Sequence, residues 1–249
     1  MKGLKSFRWF MVVAAVALVP TLKADWDDIL NPGIVPPNQK VQGLTYEQWN
    51  AKWWQFVLGI PADNNPLTAG LNYDCKVGQS GNVWFLTGIW GQSPIVATRR
   101  CTVPKATYLF FPIANETVVN SFVGPSGLDW TDDSTDDLRK QAKDAMDAVI
   151  DMSCKIDNRY VHHLESVRGS IYRVTSPVFH PWLPPNNVAG IPVYTPPGKV
   201  AIPGTVADGV YLMLEPLPPG AHTIEFTASF GTAPDALRFD ITYIIEVPK

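Results

Sequence analysis

DGVYLMLE (Asp208–Glu215), PLPPGA (Pro216–Ala221), HTIEFTASF (His222–Phe230) and LRFDITYIIEV (Leu237–Val247) decide the fold. Successive side chains of a strand point to opposite faces, so a half-buried strand carries apolar residues at every second position. Leu237, Phe239, Ile241, Tyr243, Ile245 and Val247 share one face, and Arg238, Asp240, Thr242 and Glu246 share the other, with Ile244 the exception. Ile224, Phe226, Ala228 and Phe230 alternate in the same way with Thr223, Glu225, Thr227 and Ser229. Val210, Leu212 and Leu214 alternate with Tyr211, Met213 and Glu215. Proline donates no ladder hydrogen bond and glycine tolerates positive φ, so Pro216–Ala221 is a turn. Three strands with one apolar face each need a second layer to cover them. The expectation is a mainly β fold: a single-domain β-sandwich, jelly-roll or immunoglobulin-like, with two covering α-helices.

Working outward, the first residues of this 249-residue chain carry a basic start (Lys2, Lys5, Arg8) and a short apolar run, Trp9 to Val19. Pro20 breaks that run, and Leu22-Lys23-Ala24 offers a cleavage site, so residues 1–24 read as a secretory signal peptide. The run falls short of the ~20 residues that a spanning helix needs, and no other run reaches that length. Removing 1–24 takes away four basic residues and no acidic ones, moving the formal charge from −3 to −7. An acidic chain of this kind is a poor partner for nucleic acid or anionic lipid. A secreted or periplasmic location follows. Residues 25–44 read as an extended lead-in and 45–249 as the β-sandwich domain. An apolar content of 46% argues against disorder over most of the chain.

Two helices interrupt the β pattern. Thr45 with Gln48 forms a capping box, followed by Tyr46, Trp49, Trp53, Phe56 and Val57 on one face; Gly59 and Pro61 end the helix. Aromatics on one helix face are expected to be core, with Trp54, at the edge of that face, the one most open to solvent. Ser134 with Asp137 forms a second capping box, and Leu138, Ala142, Ala145, Met146, Val149 and Ile150 predict a helix to about Asp151. The segments 81–89 and 107–113 read as buried strands, and 171–174 and 178–179 as strand-like pieces. The Pro- and Gly-rich 186–204 reads as a long surface loop.

Of the three cysteines, Cys75 and Cys101 flank a strand segment and are the expected disulfide, which leaves Cys154 as a buried free thiol. A bridge closing a loop of that length contributes about 3 kcal/mol in the chain-entropy picture.

Tyr46-x-x-Trp49-x-x-x-Trp53-Trp54-Gln55, Cys75-x-x-Gly78-Gln79-x-Gly81-x-Val83-Trp84-Phe85-Leu86, Arg100-Cys101-Thr102-Val103-Pro104 and Leu109-Phe110-Phe111-Pro112 together resemble a family of uncharacterised secreted bacterial proteins. Tyr172-Arg173-Val174-x-Ser176-Pro177-x-Phe179 and Asp208-Gly209-x-Tyr211 fit the same family. The resemblance spans most of the chain beyond residue 24. It implies an extracytoplasmic bacterial setting and brings no active site with it. Asn115-Glu116-Thr117 is an N-glycosylation sequon, relevant only in a eukaryotic secretory route.

The chemistry-bearing motifs are sparse. No Gly-x-Ser-x-Gly elbow, HExxH pair or Gly-rich phosphate loop occurs. Asp129, Asp132 and Asp133, with Asp136 and Asp137, could offer oxygen ligands to calcium, but their spacing is not that of an EF-hand; acidic residues before a helix are also favoured by its dipole. His163 and Glu165, with a distant histidine, are a further metal-ligand possibility. Glu215 and Glu225, on neighbouring strand segments, are the nearest approach to a carboxylate pair for glycoside hydrolysis. Trp54, Trp90, Trp130 and Trp182 are the candidate ligand-binding residues, on the expectation that exposed tryptophans stack on sugars. The sequence therefore points to a non-enzymatic binding protein for carbohydrate or another cell-surface component. An extracellular hydrolase or lyase acting on polysaccharide, or a structural envelope protein, is the alternative.

Overall fold

The computed structural model describes residues 31, 33–69, 74–90, 95–120, 122–124, 127–129, 133–191, 200–201, 204–231 and 236–249, of which 122–124, 127–129 and 200–201 by backbone only. Residues 1–24, read above as a signal peptide, and Trp130 lie outside them.

The chain is mainly β, with two helices, and most strands fall into two mixed sheets. The first sheet has four strands in the order β1 (Val83–Phe85), β3 (Tyr108–Val119), β11 (Thr205–Leu214), β8 (Arg173–Thr175). The second has five, in the order β2 (Ile95–Thr102), β13 (Leu237–Val247), β12 (Gly220–Phe230), β6 (Val149–Ile156), β7 (Arg159–Tyr160). Short two-stranded pieces join β4 (Phe122–Gly124) to β5 (Gly127–Asp129), and β9 (Trp182–Leu183) to β10 (Val200–Ala201). The edge strands β1 and β2 pair in parallel, with β3 and β13 respectively.

All three C-terminal strands form as the alternation predicts. They do not form one meander. β12 and β13 are a hairpin in the five-stranded sheet, whereas β11 lies in the other sheet, between β3 and β8. The proline-rich turn therefore carries the chain across the sandwich. β11 is buried along its whole length, because both its faces are covered.

Helix α1 (Tyr46–Gly59) starts at the expected Thr45–Gln48 capping box and lies on the outer face of the four-stranded sheet. Several of its buried polar groups are tied to that sheet or to the segments beside it. The Tyr46 hydroxyl donates to Val35 O (2.6 Å) and accepts from Met213 N (3.0 Å). Trp53 Nε1 donates to Leu86 O (2.9 Å), and Asn50 Nδ2 donates to Val174 O (3.2 Å) and Ala207 O (3.3 Å). Polar anchors of this kind satisfy groups that would be costly to bury unpaired. Trp54, expected at the surface, is only 3% exposed. It packs edge-on against Trp53, with ring centres 5.1 Å apart, and the favourable burial of so large a side chain draws it in.

Helix α2 (Thr135–Met146) starts at the expected Ser134–Asp137 capping box but ends one turn early. Val149 and Ile150 belong to β6, not to the helix stripe. The run Val149, Met152, Cys154 pairs with β12, and strand pairing there outweighs the helical period. Leu138 and Ala142 of α2 cover Val118 and Val206. Arg173 fixes the helix from below: Nε donates to Asp208 (2.6 Å), Nη1 to Asp147 (2.6 Å) and Nη2 to Lys143 O (3.0 Å).

Cys75 and Cys101 form the disulfide, with Cα atoms 5.7 Å apart, and Cys154 is a fully buried free thiol whose pKa burial pushes up. Strand β2, which carries Cys101, has no counterpart in the sequence reading. Its alternation is written in Val96, Thr98, Arg100 and Thr102 facing out, against Ile95, Ala97, Arg99 and Cys101 facing in. The arginine on the inner face hid the pattern. The buried Arg99 guanidinium donates to Thr87 Oγ1 (2.9 Å), Gly88 O (3.2 Å), the Tyr243 hydroxyl (3.2 Å) and Pro66 O (2.6 Å), which fixes the segment after β1.

Candidate functional site: a cleft at the open edge of strand β3

Strand β3 changes surroundings along its length. β1 pairs only with Tyr108–Phe110, and the Leu86 N–H donates to Phe110 O. Beyond that point no described strand covers the outer edge of β3. A bulge on the β11 side falls in the same place: Tyr211 faces Pro112, Val210 faces Ala114, and Ile113 is the extra residue. An inserted residue reverses which side chains point inward. Before the bulge Phe111 points into the sandwich, 5.7 Å from Phe226, while Phe110 points at α1 and stacks on Tyr211 at 5.1 Å. After it, Asn115 faces the α1 side, and Glu116 shares the inner face with Ala114 and Val118.

A cavity of about 420 Å³ runs round this open edge. Trp54 forms its inner wall, Trp90 its rim, and Phe226, Phe230 and Phe239 the opposite side. Phe230 and Phe239 meet edge-to-face, 5.9 Å apart. Trp90 is 42% exposed and is held by its N–H, which donates to Leu67 O (2.8 Å). A space of this size with mostly apolar walls is of the kind that takes a ring-sized ligand.

Polar groups at the cleft are few, and most are already engaged. Asn115 Nδ2 donates to the Tyr211 hydroxyl (3.0 Å), and that hydroxyl donates to Asn50 Oδ1 (2.9 Å). Thr117 Oγ1 donates to Val206 O (3.3 Å). The buried indole N–H of Trp54 lies near the same Tyr211 hydroxyl but does not reach hydrogen-bond geometry. Glu116 is the one ionisable side chain among the described residues that line the cavity. It is half-buried, and none of the salt bridges among the described residues includes it. Burial raises its pKa above the ordinary glutamate value, partly offset by the Thr117 backbone N–H. Its register partner Asp208 is 1% exposed, is engaged by Arg173 and Thr175, and does not line the cavity.

The structure separates the four candidate tryptophans. Trp54 and Trp90 line the cleft, one buried and one at its rim. Trp182 is 56% exposed on β9 and is not part of that lining, so no single aromatic platform joins Trp90 to Trp182. Of the acidic trio, Asp133 is half-buried, with its backbone carbonyl accepting from Asn120 Nδ2 (3.3 Å); Asp129 closes β5, its side chain not described, and Asp132 lies outside the described residues. Among the described residues, no three His, Cys, Asp or Glu side chains come together as a metal site. His163 stands at positive φ in a turn, not in a strand, and its N–H donates to Glu165 (3.2 Å). Glu225 lies 3.9 Å from Lys155, whereas Glu215 lines a larger, more open depression of about 960 Å³ with Asp157 and His162. Beside that depression His222 donates from Nδ1 to the Asp157 carboxylate (2.7 Å) and from Nε2 to Pro218 O (2.9 Å).

Glu116 is the residue the sequence reading missed. It stood there only as the middle of a sequon. The available signal was a carboxylate in a strand otherwise rich in Phe, Ile and Ala.

No described helix is long and apolar enough to cross a membrane. No protein-family model matches the sequence, and no curated protein matches it. A solved structure, described as the structure of PbICP-C in complex with falcipain-2, aligns at 10% identity over 67% of this chain and 99% of its own, with a TM-score of 0.24. A likeness at that level carries no argument about fold or function.

Proposed function

We propose that the protein is a secreted or periplasmic, non-enzymatic binding protein whose ligand is held in the cleft between the two sheets, and that the ligand is a carbohydrate or another cell-surface component. The cleft itself carries this reading: aromatic walls, an exposed Trp90 at the rim, and a single half-buried carboxyl among the described lining residues. Two-carboxylate hydrolysis needs an acid and a second carboxylate flanking one bond. The described lining supplies one. Aromatic walls with one carboxyl among the described side chains suit recognition of a ring or alkyl face that also carries a donor. The tripartite pattern of residues 1–24 and the Cys75–Cys101 disulfide support an oxidising, extracytoplasmic setting.

One observation favours a second reading, an extracellular hydrolase or lyase acting on polysaccharide. A carboxyl with a raised pKa against aromatic rings has the environment of a general acid. Retention of the chain from Asp25 onward on immobilised polysaccharides, with reducing ends assayed in the same tubes, separates the two. Retention that Trp90→Ala abolishes, without sugar release, is the expected result. Sugar release that Glu116→Gln abolishes would replace the binding reading by the enzymatic one. Retention unchanged in Trp90→Ala would move the site elsewhere.

A further inference from the structure

Taking the cleft as the binding site, we infer that the group it receives is a methylated ammonium, as in a choline-type headgroup. The inference rests on what the lining offers and what it lacks. Glu116 places one carboxyl, without a partner cation among the described residues, in a space whose described walls are mostly rings and aliphatic side chains, with Asn115 and Thr117 beside it. A carboxylate taken partly out of water favours a cation beside it. Ring faces attract cations electrostatically, more strongly where water is excluded, and the rings of Trp54, Trp90, Phe226, Phe230 and Phe239 border the same space.

The preponderance of ring surface over charged acceptors then decides which cation. A primary ammonium brings three N–H donors, and burying any of them unpaired is costly. The Asn115 amide and the Thr117 hydroxyl are held on the strand pair by Tyr211 and Val206 O. Glu116 is the one charged acceptor among the described side chains of the lining. A quaternary ammonium has no N–H to satisfy. It presents methyl groups to the rings and charge to the carboxyl, so it loses little on leaving water and uses every surface the cleft provides. A neutral group of the same shape uses the rings alone.

The test is a tryptophan-fluorescence titration of the chain from Asp25 onward with tetramethylammonium, choline, ethanolamine, and 3,3-dimethylbutan-1-ol, the uncharged carbon counterpart of choline. Choline and tetramethylammonium should saturate, with the uncharged alcohol at least about ten-fold weaker and ethanolamine weaker than choline. In Glu116→Gln, which preserves shape, the gap between choline and the alcohol should close. Trp90→Ala, at a partly exposed position, should weaken both while its circular dichroism spectrum and melting curve match the parent. Equal binding of choline and the alcohol, or a preference that survives Glu116→Gln, would overturn the assignment. If no cation binds but Trp90-dependent retention on polysaccharide persists, the ammonium assignment falls and the cleft remains the binding site. If both fail, both fall.

Discussion

The two halves of β3 differ in residues, an aromatic-rich 108–111 against a mixed 112–117, and do different things. Tyr108–Phe111 runs between β1 and β11, with α1 on one face and β12 on the other, and its phenylalanines are wholly buried. Residues 112–117 keep β11 on one side but have no described strand on the other, and an aromatic cleft takes that place. In the first half alternate aromatic side chains fill space between layers. In the second, a bulge turns a carboxyl inward where the layers part. A sandwich closes where its edge is paired, and it opens a cavity where the edge is left free and the register shifts.

The comparison is broken most severely from the closed half. Trp53 is 1% exposed, its N–H is bonded to Leu86 O, and it packs on both Trp54 and Tyr211. Trp53→Ala should cost about 3–5 kcal/mol, read as a lower denaturation midpoint in guanidinium with an unchanged slope. A loss below about 1 kcal/mol would mean that the closed half is not the stabilising one.

The junction between the halves is next. A methyl group at Gly209 would meet Tyr211 Cε2 at 2.7 Å, Asn115 Cβ at 2.8 Å and Ala114 O at 2.9 Å. Two of these are rigid, and the third belongs to a ring stacked on Phe110. Gly209→Ala should therefore cost about 1–3 kcal/mol by overpacking and should also disturb ligand binding, because Asn115 and its neighbour Glu116 move with the strand. Unchanged stability would show that the bulge can absorb the extra group.

Much of the closed half was legible in the sequence, and little of the open half. The capping boxes at Thr45 and Ser134, the alternation of β12 and β13, and the Cys75–Cys101 pair each depend on neighbours close in sequence or on a simple period. Three features depended on distant partners. Trp54 is buried by packing on Trp53 at the cleft wall; β2 pairs in parallel with β13 across the chain; and the bulge at Ile113 inverts the alternation. Read straight on from Phe111, the period would place Glu116 on the α1 side. Only the register with β11 shows that it faces the sandwich interior.

The rim separates stability from binding. Trp90 is partly exposed and anchored by its backbone, so Trp90→Ala should change stability by no more than about 0.5 kcal/mol, as thermal melts will show. The same variant should weaken ligand binding, read in the emission of the tryptophans that remain at the cleft. A melt lowered by several degrees would make Trp90 part of the core and weaken the division between the halves.

The smallest effect, and the most specific, comes from Glu116. Its pKa in the folded chain lies above the ordinary 4.5, because burial disfavours the charged form. The folded state therefore binds this proton more tightly than the unfolded state does. Between the unfolded and the folded pKa, the folded chain carries more protons, so this group's contribution to stability falls as pH rises through that window and is constant above it. Other carboxylates titrate in the same range, so the informative quantity is the difference between Glu116→Gln and the parent. Glutamine carries no charge at any pH, and the variant should gain on the parent as pH rises from about 4 to neutrality, then run parallel to it. Saturating choline should reverse the sign, because a cation in the cleft stabilises the carboxylate and lowers its pKa again. A variant that instead loses ground with rising pH would mean that the charged carboxyl already has a stabilising partner, and the open half of β3 would then be as self-satisfied as the closed one.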